Sequence, residues 1–351
     1  MAWTLVSRPS AGLDIGTYSV KLFARQSGPG TARTWVAEAP IPGAEPGSTP
    51  TPERAAAAIA ECLSRAGLSA RALRQVSTGI AGPDVIIKQI ALPPMDDREV
   101  APALKFEARK HLPFDPQGMV IDHQVLGRHS EDRRLDILLA AVSEDRVQRH
   151  LAPLKLLGIE SDVVDAAPLA LTNAALGAAE DQGDARVLLD IGYASSHLTL
   201  YQPGKPYFSR RLDFGGQNLT RAVGAALKVP LDQAEAWKLA ASERDGGSEP
   251  DWGSDGMRAM VECLRHDLMR ELRSSFAFYG TLAELPSPLE LWISGGSARL
   301  PGMAERLAQL LACTVNVLNP LASAPGALQS SVRPSDGPQY GQAFGLAIRT
   351  A

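Results

Sequence analysis

The sequence predicts an α/β protein of two lobes, the first carrying a small inserted α+β unit. Three observations carry this. An apolar strand ending in Asp-Ile-Gly, a short turn with hydroxyl side chains and a second strand occur at residues 12–22 and again at 188–200. A further apolar strand at 291–294 runs into the turn Gly295-Gly296-Ser297-Ala298-Arg299. Between the hairpins, from 84 to 162, the patterning reads β-α-β-β-α, a self-contained α+β order. The 351 residues exceed one typical domain, and 45% apolar composition suffices for two cores.

The repeated hairpin suits phosphate. Gly16 and Gly192 let the backbone approach an anion, and successive turn N–H groups can point at its oxygens. Thr17, Ser19, Ser195 and Ser196 add hydroxyl donors, and Lys21 adds a positive charge. Asp14 and Asp190 are hard oxygen ligands suited to Mg²⁺, which usually keeps waters between itself and carboxylates. One Asp-x-Gly-x-Ser/Thr turn is a weak signal. Two copies half a chain apart point to two lobes clamping one nucleotide. Tyr18 and Tyr193 occupy turn positions where small side chains are commoner, placing phenols at the site.

The remaining elements follow in order. A strand at 34–39 leads into a Pro- and Gly-rich loop ending at Pro52. Thr51 is placed to N-cap a helix over 52–66 that stops at Gly67, with Pro52 at its first position and Glu53 in its first turn. A strand at 75–81 closes the unit. In the insert, a strand at 85–92 is broken by Pro93-Pro94, and Asp96 or Asp97 caps a helix through His111. Strands at 120–127 and 134–143 and a helix at 144–157 complete it. The divisions expected are 1–83, 163–184 and 335–351 for the first lobe and 84–162 for the insert. The second lobe is expected at 185–334, with a helical part at 215–288.

The order Asp-Ile-Gly, Asp-Ile-Gly, Ser-Gly-Gly resembles the actin-like ATPase superfamily. Ile90-Ala91-Leu92-Pro93-Pro94-Met95 and the stretch Phe106-Glu107-Ala108 to Leu112-Pro113-Phe114-Asp115 resemble a narrower group. That group is the PilM family, the actin-like proteins of type IV pilus assembly. The likeness extends through Val163-Val164-Asp165, Phe208 to Thr220 with Gly215-Gly216, Ala234-Glu235-Ala236-Trp237-Lys238, Glu271 to Tyr279, Asn319-Pro320 and Tyr340 to Ala347. It implies ATP or ADP with Mg²⁺ in the cleft, with Glu235 and Lys238 at the ribose. Ser274, on the helix expected against the purine, is implied as a contact, as are Gly295, Gly296, Ser297 and Arg299. Asp165 is implied as the acidic group that would orient an attacking water. The implied function is an ATP-binding scaffold, at most weakly hydrolytic, peripheral to the inner membrane on its cytoplasmic side. Its partner would be the short cytoplasmic N-terminal tail of a PilN-like membrane protein, lying in a groove between core and insert. Other pilus platform proteins, and further copies of the chain, are secondary partners.

Plainer readings compete with several of these. Glu235 and Lys238, three apart on a helix, equally describe a solvated ion pair. Lys21 equally describes a strand residue facing water, and the turns equally describe ordinary hairpins. His197 is expected to face solvent or a neighbouring strand, and no histidine spacing suggests a metal site. Glu107 and His111 read as a polar helix face, and 242–255 as an acidic surface loop. A net charge of −4 argues against nucleic acid. Cys62, Cys263 and Cys313 lack the spacing of a disulfide or zinc framework, which suits a reducing compartment. No apolar run is long enough to span a membrane, and no signal peptide is expected. Two alternative functions share the phosphate hairpin. A carbohydrate kinase would have a longer chain and no Leu-Pro-Pro-Met unit. An FtsA-like division protein would add an amphipathic membrane helix after the last core element, where this sequence is expected to end.

Overall fold

The computed structural model describes residues 9–26, 32–45, 48–112, 116–129, 133–177, 186–201, 207–242, 254–286, 289–322, 327–329 and 332–349. Pro113–Asp115 of the family signature and most of the acidic stretch 242–255 lie outside them. The first lobe opens with β1 (Ser10–Ile15), β2 (Ser19–Gln26) and β3 (Arg33–Pro40), then α1 (Pro52–Arg65) and β4 (Gln75–Ile80). Thr51 accepts from the Arg54 N–H as the N-cap of α1, and Gly67 takes φ +64°, the left-handed value that suits glycine after a helix end.

The insert holds β5 (Ile86–Leu92), α2 (Asp97–His111), β6 (Met119–His129) and β7 (Arg134–Ser143). Its three strands pair antiparallel in the order β5-β7-β6. Its core joins Ile90, Leu135, Ile137 and Leu139 of the sheet to Val100, Leu104 and Ala108 of α2. The next helix, α3 (Glu144–Leu156), corrects the expected boundary. Leu151, Leu154 and Leu157 pack with Ile59, Leu63 and Leu22 in the first-lobe core, because the apolar stripe of α3 faces α1. The strand β8 (Val163–Ala166) and helix α4 (Ala167–Gly177) follow.

The second lobe repeats the plan with β9 (Arg186–Ile191), β10 (Ser196–Tyr201), β11 (Phe208–Leu212) and the helices α5 (Gly216–Leu227), α6 (Leu231–Ser242), α7 (Asp255–Cys263) and α8 (Met269–Tyr279). Then come β12 (Glu290–Ser294), α9 (Met303–Leu311), β13 (Thr314–Val317), the two-residue β14 (Ala327–Leu328) and α10 (Gly341–Ile348). Its sheet runs β11-β10-β9-β12-β13, and the first-lobe sheet runs β14-β3-β2-β1-β4-β8. In both, a hairpin is flanked by one antiparallel and then two parallel strands. The extra strand β14 pairs with β3, so the chain returns to the first lobe before residue 335, earlier than the sequence indicated.

Two helices, α4 and α10, lie between the sheets. Leu171, Ala174, Phe344 and Ala347 share one cluster with Phe23 of the first sheet and Leu188 of the second. Two buried histidines carry a pH liability. Burial, with Arg211 close by, holds the His197 ring down at about 4, and burial with Arg146 does the same for His150, whose Nε2 lies 2.9 Å from Thr78 Oγ1. Unfolded, each takes up its proton near 6.5, so the stability each contributes as a neutral ring is present above that value and lost toward 4. Each is expected to cost about 2 kcal/mol between pH 7 and pH 5, read from urea midpoints. The loss should shrink in His150→Gln, and an unchanged pH slope in that variant counts against the account.

Candidate functional site

Both Asp-Ile-Gly hairpins sit at the same end of their sheets and face one another. In the first, the Gly16 N–H donates to Ser19 O at 3.2 Å, closing a tight turn between β1 and β2. Register then sets Asp14 opposite Lys21 and Lys21 opposite Glu38, a row of alternating charge across three adjacent strands. Ser19 Oγ donates to Glu38 Oε1 at 2.7 Å, fixing the outer carboxylate. Glu38 went unread in the sequence because its role depends on the pairing of β2 with β3, across the undescribed residues 27–31.

Asp14 and Asp190 end the matching strands β1 and β9. Burial raises the pKa of Asp14, against the pull of Lys21. Burial and the nearby Asp14 charge push Asp190 up to about 6, although Gln342 and Ser294 donate hydrogen bonds to it and Lys21 lowers it. The Gln342 amide comes from α10 and was not singled out as a ligand partner from sequence. Two sequestered carboxylates, one raising the other, are an arrangement that a cation beside them relieves.

The second hairpin is buttressed from behind. Gly216 N–H donates to Gly192 O at 2.8 Å and Gln217 N–H to Tyr193 O at 2.9 Å, so the start of α5 grips the turn. A Cβ on Gly215 would stand 2.4 Å from Tyr193 O, which is why a side chain is excluded there. Gly295, with φ +93°, lets the third turn press on β9, where a Cβ would lie 2.5 Å from Ile191 O.

A cavity of about 80 Å³ lies between these turns. Its lining includes Tyr18, Ser19, Lys21, Gly192, Tyr193, Gly216, Glu235, Lys238, Gly296, Ser297 and Arg299. Most of the expected set is therefore brought together. Asp14, Gly16 and Asp190 lie outside this lining, as do Thr17 and Ser195 in the two hairpin turns, and Gly215 and Gly295 act from behind it. Glu38, Leu239, Leu300 and Gln339 also line the cavity and carried no sequence signal. The Tyr18 and Tyr193 rings meet across its mouth, centroids 4.6 Å apart and planes 32° apart. A second cavity of about 520 Å³ adjoins on the far side of Tyr18, bounded by Glu38, Arg65, Arg299, Arg333 and Asp336. Arg299 is braced there by Asp336 at 2.5 Å and Gln339 at 2.9 Å.

Glu235 and Lys238 are no solvated pair. Lys238 Nζ is 2.7 Å from Glu235 Oε2, with both side chains about nine-tenths buried. It also donates to Gly216 O at 3.0 Å and Thr220 Oγ1 at 2.8 Å, and Thr220 donates to Glu235. Removing one partner leaves the other charge buried. Glu235→Ala is thus expected to cost about 3 kcal/mol in urea unfolding. A loss below ~1 kcal/mol, typical of exposed pairs, would contradict this placement.

Two expected residues lie elsewhere. Ser274 is exposed on α8, where its Oγ accepts from Arg210 Nη1 at 3.3 Å, and it does not reach the cavity. Its helix is turned so that Leu272, Ser275 and Tyr279 face inward. Asp165 sits on β8, level with Gly79 of β4, and is absent from the cavity lining. Its carboxylate is paired with Arg349 and accepts the Ala166 N–H at 2.8 Å, so it is engaged as an anchor for the segment after α10. No group of three His, Cys, Asp or Glu side chains forms a metal site among the described residues. No helix among them is long and apolar enough to cross a membrane.

A family model described as type IV pilus assembly protein PilM matches residues 12–351. The chain belongs to the PilM family. A solved PilM–PilN type IV pilus biogenesis complex contains a chain 26% identical to this one, with TM-score 0.78 and 97% of each chain covered. The ethanolamine utilization protein EutJ from Carboxydothermus hydrogenoformans shares the fold at 15% identity, TM-score 0.58, covering 98% of this chain and 91% of that one. Cell division protein FtsA of Bacillus subtilis is 27% identical over 184 residues, which span 46% of this chain and 40% of that protein. The fold is accordingly the actin-like two-lobe fold, in its PilM form.

Proposed function

We infer that this PilM-family chain is a nucleotide-responsive scaffold of type IV pilus assembly, working on the cytoplasmic side of the inner membrane through its partners. The observation that carries the reading is the full-length match, in sequence and structure, to the PilM of a PilM–PilN complex. The ligand expected between the hairpins is ATP or ADP with Mg²⁺. The residues present suit it: Lys21 and the glycines Gly192, Gly216 and Gly296 line the cavity where phosphate must approach backbone, and Asp14, in register with Lys21, and Asp190 stand outside the lining as hard carboxylates that would reach a metal through its waters. When bound, the metal would supply positive charge that offsets both carboxylates and the phosphates. Lys21 orients the anion, the turn amides receive its oxygens, and the Glu235–Lys238 pair presents polar atoms to the sugar. Because the hairpins belong to different lobes, a ligand gripping both favours the closed arrangement by its difference in affinity for the two states.

The partner expected is the cytoplasmic N-terminal tail of a PilN-like protein, in the groove between first lobe and insert. Asp122 on β6 of the insert is close enough to act on Asp165 of the first lobe, which is paired with Arg349, and this marks where the two units approach. An extended tail held by main-chain bonds and apolar contacts suits such a groove. The test is binding of the purified chain to a PilN-like tail peptide by fluorescence anisotropy. Saturable binding, weakened at least about tenfold by Asp122→Lys, is expected. No binding by a folded chain, with or without ATP, overturns the partner assignment.

A further inference from the structure

The inserted unit has a further surface on the α2 side of its sheet, opposite the strand face that carries Asp122. Strand β6 is an edge of the three-stranded sheet, and at 11 residues it is long for an exposed edge. Among the described residues only β7 pairs with it, which leaves its other side for a further strand. One amide there is already diverted: the His123 N–H donates to the Asp122 carboxylate at 2.8 Å rather than to a strand. Alternation along an antiparallel strand then places the main-chain groups of Ile121 on the same open side.

Beside this edge, between β6 and α2, lies a cavity of about 460 Å³. Its apolar lining includes Leu104, Met119 and Ile121, and its charged lining is Lys105 and Arg109, with His123 at its end. Ala101, Lys105 and Arg109 recur every four residues, so they form one stripe of α2 along the cavity. Both cations are exposed, and neither has an ion-pair partner among the described residues, whereas the next lysine, Lys110, is paired with Glu107 at 2.9 Å. Among the described residues, no carboxylate lines the cavity. In a chain of net charge −4 this is a local excess of positive charge.

We propose that β6 and α2 form a second docking site, which takes an extended acidic segment of a partner protein as a fourth strand of the insert sheet. The Met119 N–H already donates to Pro116 O at 3.0 Å, so the new main-chain bonds form at Ile121 and the outward carbonyls beside it. Alternate side chains of the segment enter the cavity over Leu104 and Met119, and its carboxylates meet Lys105 and Arg109. Open edge, apolar floor and unpaired cations each exclude a different class of occupant. A helix cannot pair with the edge, a basic strand is repelled, and a purely polar one leaves the floor unfilled.

The probe is a fluorescein-labelled nine-residue peptide of alternating glutamate and valine, compared with one of alternating lysine and valine. Anisotropy is expected to show the glutamate peptide binding the full chain at least tenfold more tightly. The double variant Lys105→Glu/Arg109→Glu should weaken it at least tenfold. Both changes are on exposed side chains, and an unaltered melting temperature confirms the fold. Hydrogen exchange with the glutamate peptide should slow at the backbone of Met119–Val125. Equal affinity for the two peptides, or indifference to the double variant, overturns the acidic specificity. Binding without slowed exchange on β6 overturns strand addition.

Discussion

Asp14→Ala and Lys21→Ala are each expected to weaken ATP–Mg²⁺ binding by about 10- to 100-fold, the loss of one strong charge-assisted contact. The two substitutions act differently. Lys21 stands opposite both Asp14 and Glu38 in register, so its removal takes a cation from between two carboxylates and leaves the site more negative. Binding should fall in the presence and absence of magnesium. Asp14 is the carboxylate proposed to face the metal, and burial holds it above its usual pKa. Its removal should chiefly erase the dependence on magnesium, while lifting the burden on Asp190. Calorimetric titration of both variants with ATP, each with and without Mg²⁺, separates these outcomes. Wild-type affinity in both would mean the cavity between the hairpins is not the nucleotide site. No binding by a folded wild type would recast the protein as a scaffold that works without nucleotide.

Much of this site was legible because its residues lie on short contiguous turns. Asp14 to Lys21 and Asp190 to Ser196 each place backbone, hydroxyl and carboxylate within one hairpin, so local sequence specifies local geometry. The helices were legible for the same reason. Thr51-Pro52 and Asp96 mark helix starts, with Glu99 Oε2 accepting the Asp96 N–H at 2.9 Å. What escaped depends on long-range register. Glu38 reaches Lys21 only through pairing of β2 with β3, and Gln342 reaches Asp190 across 152 residues. Asp165 was a candidate because the resemblance implies a water-orienting acid near the connecting segment, where it is the acidic residue. Its partner Arg349 lies 184 residues away, and nothing near Asp165 announces it. Ser274 was misplaced by rotation: adjacent serines on a helix point about 100° apart, and Ser275 is the inward one. The helix α3 was assigned to the insert by chain order, whereas its Leu151–Leu154 stripe follows the larger apolar surface of α1.

Gly345→Ala is expected to be the most damaging single methyl added to this chain. The helices α4 and α10 cross so closely that a Cβ at Gly345 would stand 1.8 Å from Ala170 O. On the other side of α10, a Cβ at Gly12 would stand 2.0 Å from Ala343 O. The obstructing atoms are backbone, so no side-chain rotation relieves them and the helix itself must move. Overpacking of this kind costs about 3 kcal/mol or more. Gly280→Ala is the fitting control, since its nearest neighbour lies 3.4 Å away and its φ of −58° suits alanine. That variant should unfold within ~0.5 kcal/mol of wild type. The consequence reaches beyond stability because α10 carries Gln342 to Asp190 and leads into Arg349, which pairs with Asp165. A displaced α10 therefore loosens the carboxylate of the second hairpin and the anchor of β8 together. If Gly345→Ala folds at all, it should bind nucleotide more weakly even at temperatures well below its melting point. A variant that melts with wild type would show that α4 and α10 separate freely, and the close crossing would then have no part in fixing the two lobes.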